Sequence, residues 1–337
     1  MSSSAYQPPY TITSDILNRV AEISEAVGKL SVLTDDAKAL RLRRANRIRT
    51  IHGSLAIEGN TLSEEQITAI LEGRRVIAPP REVQEVKNAL AAYDRFPTWL
   101  PESETDLLAA HRILMSGLID EVGTYRRGGV GVMSGQDVIH IAPPAARVPS
   151  LMSDLFSWLA ATDAHPLIAG SVFHYEFEFI HPFADGNGRV GRLWQSLILS
   201  RWNPVFADLP VESLIFEYQS KYYEAIRQST VETDSAPFIS FMLEMILETI
   251  TVVTPQVTPH VTPQVGALLA VVTGEMGREA LQTALGRSDR KSFRERYLTP
   301  ALAAGLIEMT VPEKPTSRLQ KYRLTVRGHE WLREHQE

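Results

Sequence analysis

The sequence predicts a mainly α body carrying one small β-hairpin flap, followed by a proline-rich linker and a smaller α+β unit. Three observations predict this. Apolar residues in the body recur at helical spacing. Gly128 to His140 breaks that rhythm with glycine and valine ahead of Pro143-Pro144, as a hairpin does. Val253 to Val265 reads VTPQVTPHVTPQV, with a proline at every fourth position. Each proline removes a backbone donor and pushes the residue before it out of helical geometry, so the repeat reads as a semi-rigid spacer. The expected division is an N-terminal helical region over 1–100, a core over 101–252, the linker over 253–265 and a terminal unit over 266–337.

Taken in order, an early helix is expected to stop near Gly59, a residue suited to the position just past a helix end. Thr61-Leu-Ser-Glu64 has the capping-box pattern, so a new helix should begin just after Asn60. Leu151 through Trp158 and Phe238 through Ile250 carry helical stripes, and Ile168, Val172, Tyr175 and Phe179 fall at i, i+4, i+7 and i+11 of a third. Beyond the linker, short helices are expected at Ala267 to Val272 and Glu279 to Leu285, and a longer one from Asp289 to about Ala304. A strand, a Pro-Glu-Lys-Pro turn and a strand at Tyr322 to Leu324 follow, an order that suggests a winged helix.

Composition bounds the chemistry. Of 337 residues 44% are hydrophobic and 22% charged, ordinary globular usage. Cysteine is absent, which removes disulfides and thiolate metal sites and fits a reducing compartment. The opening MSSSAYQPPY has no basic segment leading into an apolar one, and no apolar run approaches the ~18 residues of a membrane span, so a cytoplasmic protein without a membrane partner is expected. The net charge of −6 is uneven: from Gly266 onward 12 Lys and Arg stand against 9 Asp and Glu. A mildly basic terminal unit admits contact with DNA, with another protein or with a second copy of the chain.

The densest signal is His181 to Arg192, HPFADGNGRVGR. Asp185-Gly-Asn-Gly188 is a tight turn at a helix start, where backbone N–H groups and the helix dipole can cradle an anion. Arg189 and Arg192 lie three apart on the following helix and project from one face, as two phosphate ligands would. Asp185 is a hard oxygen ligand suited to Mg²⁺, and His181 can take a proton near neutral pH. A histidine before proline, a DGNG turn or an arginine pair alone would be a loop, a turn or a solvated face; their union within one short string is what points to a site.

This string resembles the Fic family signature, HPFxDGNGRxxR, at every fixed position, and the resemblance extends from roughly Leu40 into the terminal unit. It implies that His181 is a general base, Asp185 the Mg²⁺ ligand, Gly186, Asn187 and Gly188 an anion hole, and Arg189 and Arg192 the holders of the β and γ phosphates of ATP. Doc-like members, which phosphorylate, carry Lys where Gly188 stands, so the sequence resembles the AMP-transferring branch. Val138-Ile139-His140-Ile141 is similar in position to the family's flap, which would pin an extended target segment by backbone pairing. Tyr222 and Tyr223 resemble the pair that flanks adenine, and Thr230 stands where the family has an asparagine on the nucleotide. Upstream, Ser54-Leu-Ala-Ile-Glu58-Gly resembles the inhibitory helix [S/T]xxxE[G/N], with Ile51 and Leu55 able to pack it down. The resemblance then implies a bidentate salt bridge from Glu58 to Arg192 that excludes the γ phosphate.

The implied activity is protein adenylyltransfer: AMP moves from Mg·ATP to a Ser, Thr or Tyr hydroxyl of a target protein or of the chain itself. Two alternatives share the residues. The site could transfer another nucleotide or remove AMP, or the chain could be a winged-helix DNA-binding regulator whose body senses ATP, with Arg287, Arg290, Lys291, Arg294 and Arg296 on the candidate recognition helix.

Overall fold

The computed structural model describes residues 6–32, 37–129, 131–134, 137–257, 262–314, 317 and 319–334. The chain divides into two compact units, Met1–Val257 and Thr258–Glu337.

The first unit is helical. Its helices are α1 (Ser14–Val32), α2 (Ala37–Ile57), α3 (Glu64–Leu71), α4 (Pro80–Arg95) and α5 (Glu104–Leu114), then α6 (Val148–Ala161), α7 (Pro166–Ile180), α8 (Asn187–Trp202), α9 (Val211–Glu217), α10 (Gln219–Glu232) and α11 (Ala236–Val257). Between α5 and α6 stand β1 (Gly131–Ser134) and β2 (Asp137–Ile141), antiparallel, with Gly131 opposite Ile141 and Ser134 opposite Asp137. This is the expected flap.

Helix α7 is the axis of the core. It packs against α6, α8 and α11, and Ile168, Val172, Phe173, Tyr175 and Phe177 on it are all buried. Burial on every side explains why its sequence is apolar well beyond one stripe. Helix α11, over Ala236–Thr254, is long and apolar enough to cross a membrane by length and composition, contrary to the expectation that no run comes close. Packing accounts for it: Phe238, Ile239, Leu243, Met245 and Ile246 are fully buried against α1, α7, α9 and α10, as in a soluble core helix.

Two local expectations shift. The cap of α3 is Ser63, not Thr61: Ser63 Oγ accepts from the Gln66 N–H at 3.4 Å and the Gln66 amide oxygen accepts from the Ser63 N–H at 2.9 Å. The chain stays extended two residues longer because Glu82 on α4 holds Thr61 at both its N–H (2.7 Å) and hydroxyl (2.8 Å), while Asn60 Oδ1 accepts from Leu62 N–H at 3.1 Å. The linker is also shorter than 253–265. Helix α11 runs on to Val257 on the buried anchors Ile250 and Val253. At the far end Pro263 opens the next helix, where a missing N–H costs nothing, with Thr262 as its cap. Residues 258–261 of the repeat lie outside the described residues.

The second unit comprises α12 (Pro263–Val271), β3 (Met276–Gly277), α13 (Arg278–Ala284), α14 (Arg290–Phe293), a π-turn at Arg294–Leu298, α15 (Thr299–Ala303), β4 (Ile307–Met309), β5 (Lys321–Leu324) and α16 (Val326–Glu334). Its sheet has the order β3-β5-β4, antiparallel throughout. Leu268, Leu269, Leu281, Phe293 and Ala301 form its own core. The helices-then-hairpin order is the expected one. The sequence reading missed β3, only two residues long, and α16.

Candidate active site

The site is built on the turn between α7 and α8. Helix α7 ends where His181 takes a left-handed conformation, φ 51° and ψ 61°, while its N–H still bonds Phe177 O at 2.9 Å. Pro182 disfavours the α region at the residue before it, and a non-glycine residue held at positive φ marks a position the surroundings enforce. The enforcer is Arg126, 4% exposed, which the sequence did not single out. Its Nε donates to His181 O at 2.7 Å and its Nη2 to Ile180 O at 3.2 Å, and its own N–H bonds Pro182 O at 2.9 Å. The remaining donors reach Gly128 O (2.8 Å), ahead of the flap, and Pro143 O (2.6 Å), behind it. One guanidinium therefore ties the turn between α7 and α8 to both feet of the flap.

Asn187 closes the loop from the other side. Its Oδ1 accepts from Phe183 N–H and its Nδ2 donates to Phe183 O, both at 2.9 Å, and the side chain is buried. An isolated loss of this pair leaves buried backbone groups unpaired, so Asn187→Ala is expected to lower unfolding free energy by about 1–3 kcal/mol, read from the midpoint of urea denaturation. The expected anion-hole residue thus spends its side chain on the loop and offers only its backbone N–H. Phe183 stacks on His111, centroids 3.7 Å apart and planes 7° off parallel. His111 accepts the Gly123 N–H at Nδ1 (2.8 Å), so Nε2 carries the proton and donates to Asp185 O at 3.0 Å. Burial pushes His111 down to about 4 and keeps it neutral in this post. His111 is a second residue the sequence reading missed.

Gly186 stands just before α8 at φ 87°, a conformation that favours glycine, and a Cβ there would lie 2.6 Å from Met115 Sδ. The Asp185 carboxylate accepts from Gly186 N–H at 2.6 Å and from Arg189 Nη2 at 3.0 Å through Oδ1, and Oδ2 meets Arg81 at 3.5 Å. Its side chain is 39% exposed. Among the described residues no three acidic or histidine groups cluster to hold a metal. A single open carboxylate nevertheless fits Mg²⁺, which commonly takes one or two carboxylates and completes its shell with phosphate oxygens and water. Arg189 is buried with its Nε and Nη1 unused in hydrogen bonding and Glu85 Oε1 3.6 Å from Nη1. Unspent donors on a buried guanidinium are the capacity a phosphate would take up.

Arg192, 2% exposed, meets the upstream segment. Its Nη2 donates to Glu58 Oε1 at 2.7 Å and to Ser54 O at 3.0 Å, and its Nε lies 3.3 Å from Ser54 Oγ. Burial alone would lower this guanidinium's pKa, but the charge of Glu58 overcomes it and raises the value. The pairing expected to be bidentate uses one carboxylate oxygen, and the carbonyl of Ser54 shares the same Nη2. Glu58 sits one residue past α2, whose Ile51 and Leu55 are buried as expected, and Gly59 at φ 89° turns the chain away. A Cβ on Gly188 would lie 2.5 Å from Glu58 Oε1 and 2.8 Å from Arg192 Nη1, so no side chain fits there while this pair stands.

The expected adenine pair separates. Tyr222 is core: 2% exposed, its hydroxyl 3.1 Å from His174 Nε2, its ring among Phe238 and Phe241. The reason is the apolar face α10 turns toward α11. Tyr223 lies edge-on to Tyr222 and half-buried; burial first and the Glu58 charge second raise its phenol. Thr230 donates to Ile226 O at 2.9 Å and stands 3.2 Å from the Tyr175 hydroxyl. Residues 138–141 form β2, which runs beside α10; their side chains lie outside those described.

Comparison with known proteins gives this geometry a context. Residues 99–199 match the Fic/DOC family, and residues 263–325 match the C-terminal domain of the "Filamentation induced by cAMP protein Fic-like" family. A protein adenylyltransferase Fic of Aedes aegypti is 30% identical over 239 residues, 67% of this chain and 46% of that protein. One of Culex quinquefasciatus is 32% identical over 226 residues, 64% and 43%. The chain spans just under half the length of these relatives. Fic-1 of C. elegans superposes with a TM-score of 0.61 at 25% identity, covering 71% of this chain and 72% of that one. The crystal structure of a Fic family protein from Desulfovibrio desulfuricans G20 is 52% identical with a TM-score of 0.73, covering 95% of this chain and 99% of that one. At that identity, over almost the whole of both proteins, the chain belongs to the Fic family.

Proposed function

We infer that this protein transfers AMP from ATP to a hydroxyl of a target protein, and that Glu58 holds it off. The carrying observation is that one turn presents His181, the Asp185 carboxylate and two buried arginines together, with Glu58 seated on the second arginine. The relatives named protein adenylyltransferase support the reaction, and Gly188, where the phosphorylating branch carries Lys, supports AMP transfer over phosphorylation.

In this reading the backbone N–H groups at 187 and 188 and the guanidinium of Arg189 take phosphate oxygens, and Arg192 takes the γ phosphate once Glu58 has left it. His181 accepts the proton of the attacking hydroxyl as its oxygen bonds to the α phosphorus and the bond to pyrophosphate breaks. Asp185 would hold Mg²⁺, which neutralises charge on the phosphates when bound. The flap lies next to α10 and would align the target segment by strand pairing. Of the tyrosine pair only Tyr223 is left to approach the nucleotide. The absence of cysteine suits cytoplasmic work. Incubation of the Glu58→Gly protein with Mg·ATP and candidate targets, followed by mass spectrometry, is expected to find one AMP on a Ser, Thr or Tyr; phosphate alone on that residue contradicts the reading.

The terminal unit supplies a separate binding surface. Arg287, Lys291, Arg294 and Arg296 are exposed there, while Arg290 is tied to Glu279 at 3.0 Å. If they meet DNA, affinity for a duplex must fall steeply with salt; no salt-dependent binding leaves docking of a protein or of a second copy.

A further inference from the structure

We propose that Glu178 is a positioning residue for His181, its side chain fixing the imidazole with the proton on Nδ1 and the lone pair on Nε2. The proposal rests on the reading of His181 as general base.

Glu178 lies on α7, one turn before His181. It is 4% exposed. Its Oε2 stands 3.7 Å from His181 Nδ1, and its own carbonyl oxygen 3.4 Å from the same nitrogen. Its Oε1 makes no hydrogen bond although it is buried. His174 Nε2, 3.8 Å from Oε1, is the acceptor of the Tyr222 hydroxyl, because His174 Nδ1 lies 2.6 Å from the Gln195 amide oxygen and must carry that ring's proton. The polar core of His174, Gln195, Ser171 and Tyr222 is therefore complete without Glu178. A buried carboxyl oxygen left unpaired costs stability, so a side chain that bears this cost calls for another reason. Gly191 leaves room for it: a Cβ there would lie 3.0 Å from Glu178 Oε1.

The groups facing this carboxyl are His181 and His174 on its own helix, Arg192 on α8, Tyr222 on α10 and Glu58 beyond α2. Burial pushes Glu178 up to about 8, Arg192 opposing and Glu58 adding, so at neutral pH it is mostly the neutral acid. A neutral acid still offers a carbonyl oxygen to Nδ1–H. That is the need here, because a base working through Nε2 must keep its one proton on the other nitrogen, and hydrogen bonding at that nitrogen selects the tautomer. When the target hydroxyl yields its proton to Nε2, the Nδ1–H stays in place and the ring keeps its orientation. Both Nδ1 contacts are long in this resting arrangement, as catalytic hydrogen bonds often are before substrate binds.

The test uses full-length ¹⁵N-histidine-labelled protein, with Glu178→Gln and Glu178→Leu each made alone and in the Glu58→Gly background. The neutral His181 ring is expected to show the Nδ1–H tautomer in the parent and in Glu178→Gln, whose amide oxygen is an equivalent acceptor, and to lose that preference in Glu178→Leu. In the Glu58→Gly background, kcat for AMP transfer is expected to fall roughly 10- to 100-fold in the Leu variant, as for other partners that orient a functional imidazole, with KM for ATP unchanged and the Gln variant close to the parent. A Leu variant with the parent's tautomer and kcat overturns the proposal, and so does a Gln variant that loses as much as Leu. If Leu does not fold, Glu178→Met takes its place on the same criteria. Should the Glu58→Gly parent transfer nothing, the spectra still decide the positioning, so failure of the activity reading and failure of this proposal are told apart.

Discussion

Glu58→Gly is expected to convert a nearly silent protein into one that labels itself or a partner strongly with AMP. The 2.7 Å contact from Glu58 to Arg192 occupies a guanidinium that is 2% exposed and, among the described residues, otherwise bonded only to Ser54. A phosphate cannot share that Nη2 with a carboxylate, since two anions would then face one buried cation. On the proposed function, ATP entering the resting site places its γ phosphate elsewhere, and the α phosphorus is misaligned with it. A displacement of ~1 Å at a reacting centre can cost roughly 100-fold in rate, so activation of at least that size is expected. Arg192→Ala should not activate, because it removes the phosphate ligand along with the inhibitor's partner, and Glu58→Gly/Arg192→Ala should stay weak. Initial rates of AMP incorporation from labelled ATP by the four proteins check this.

Within the activated background, His181→Ala is expected to lower transfer roughly 10²- to 10⁴-fold, the range contributed by a positioned general base. Binding of ATP, followed calorimetrically, should stay close to the parent, since the imidazole acts on the incoming hydroxyl. The backbone of residue 181 is already anchored by Arg126 through its carbonyl and by the bond from its N–H to Phe177 O, so removing the ring should leave the loop in place. Arg126→Ala makes the informative contrast: it should disturb loop and flap together.

How much of this the sequence disclosed depends on how far apart the interacting residues lie along the chain. His181 to Arg192 is contiguous, so its turn, helix start and paired arginines are local properties and were readable. Ser54 and Glu58, four apart in sequence, were readable as one segment, and both meet Arg192. The contacts that hold the site were not readable in that way. Arg126 reaches His181 across 55 positions and His111 reaches Asp185 across 74, and neither carries a local pattern that distinguishes it from a surface arginine or a core histidine. Tyr222 and Tyr223 looked equivalent because adjacent residues on a helix differ only in which face they present, and packing on α11 buries one of them. The cap at Ser63 and the extension of α11 through Val257 were likewise decided by tertiary partners, Glu82 in one case and the core in the other.

On the proposed function, one chain holds both an AMP-transfer site and its own inhibitor. The most direct measurement supplies ATP labelled either at the α or at the γ phosphate to wild type, Glu58→Gly and Glu58→Gly/His181→Ala, and follows protein-bound label with time. The account predicts rapid incorporation of the α label by Glu58→Gly, little by wild type or the double variant, and no γ label in any of them. A folded, ATP-binding Glu58→Gly protein that incorporates no more α label than wild type, or that incorporates the γ label instead, would contradict it.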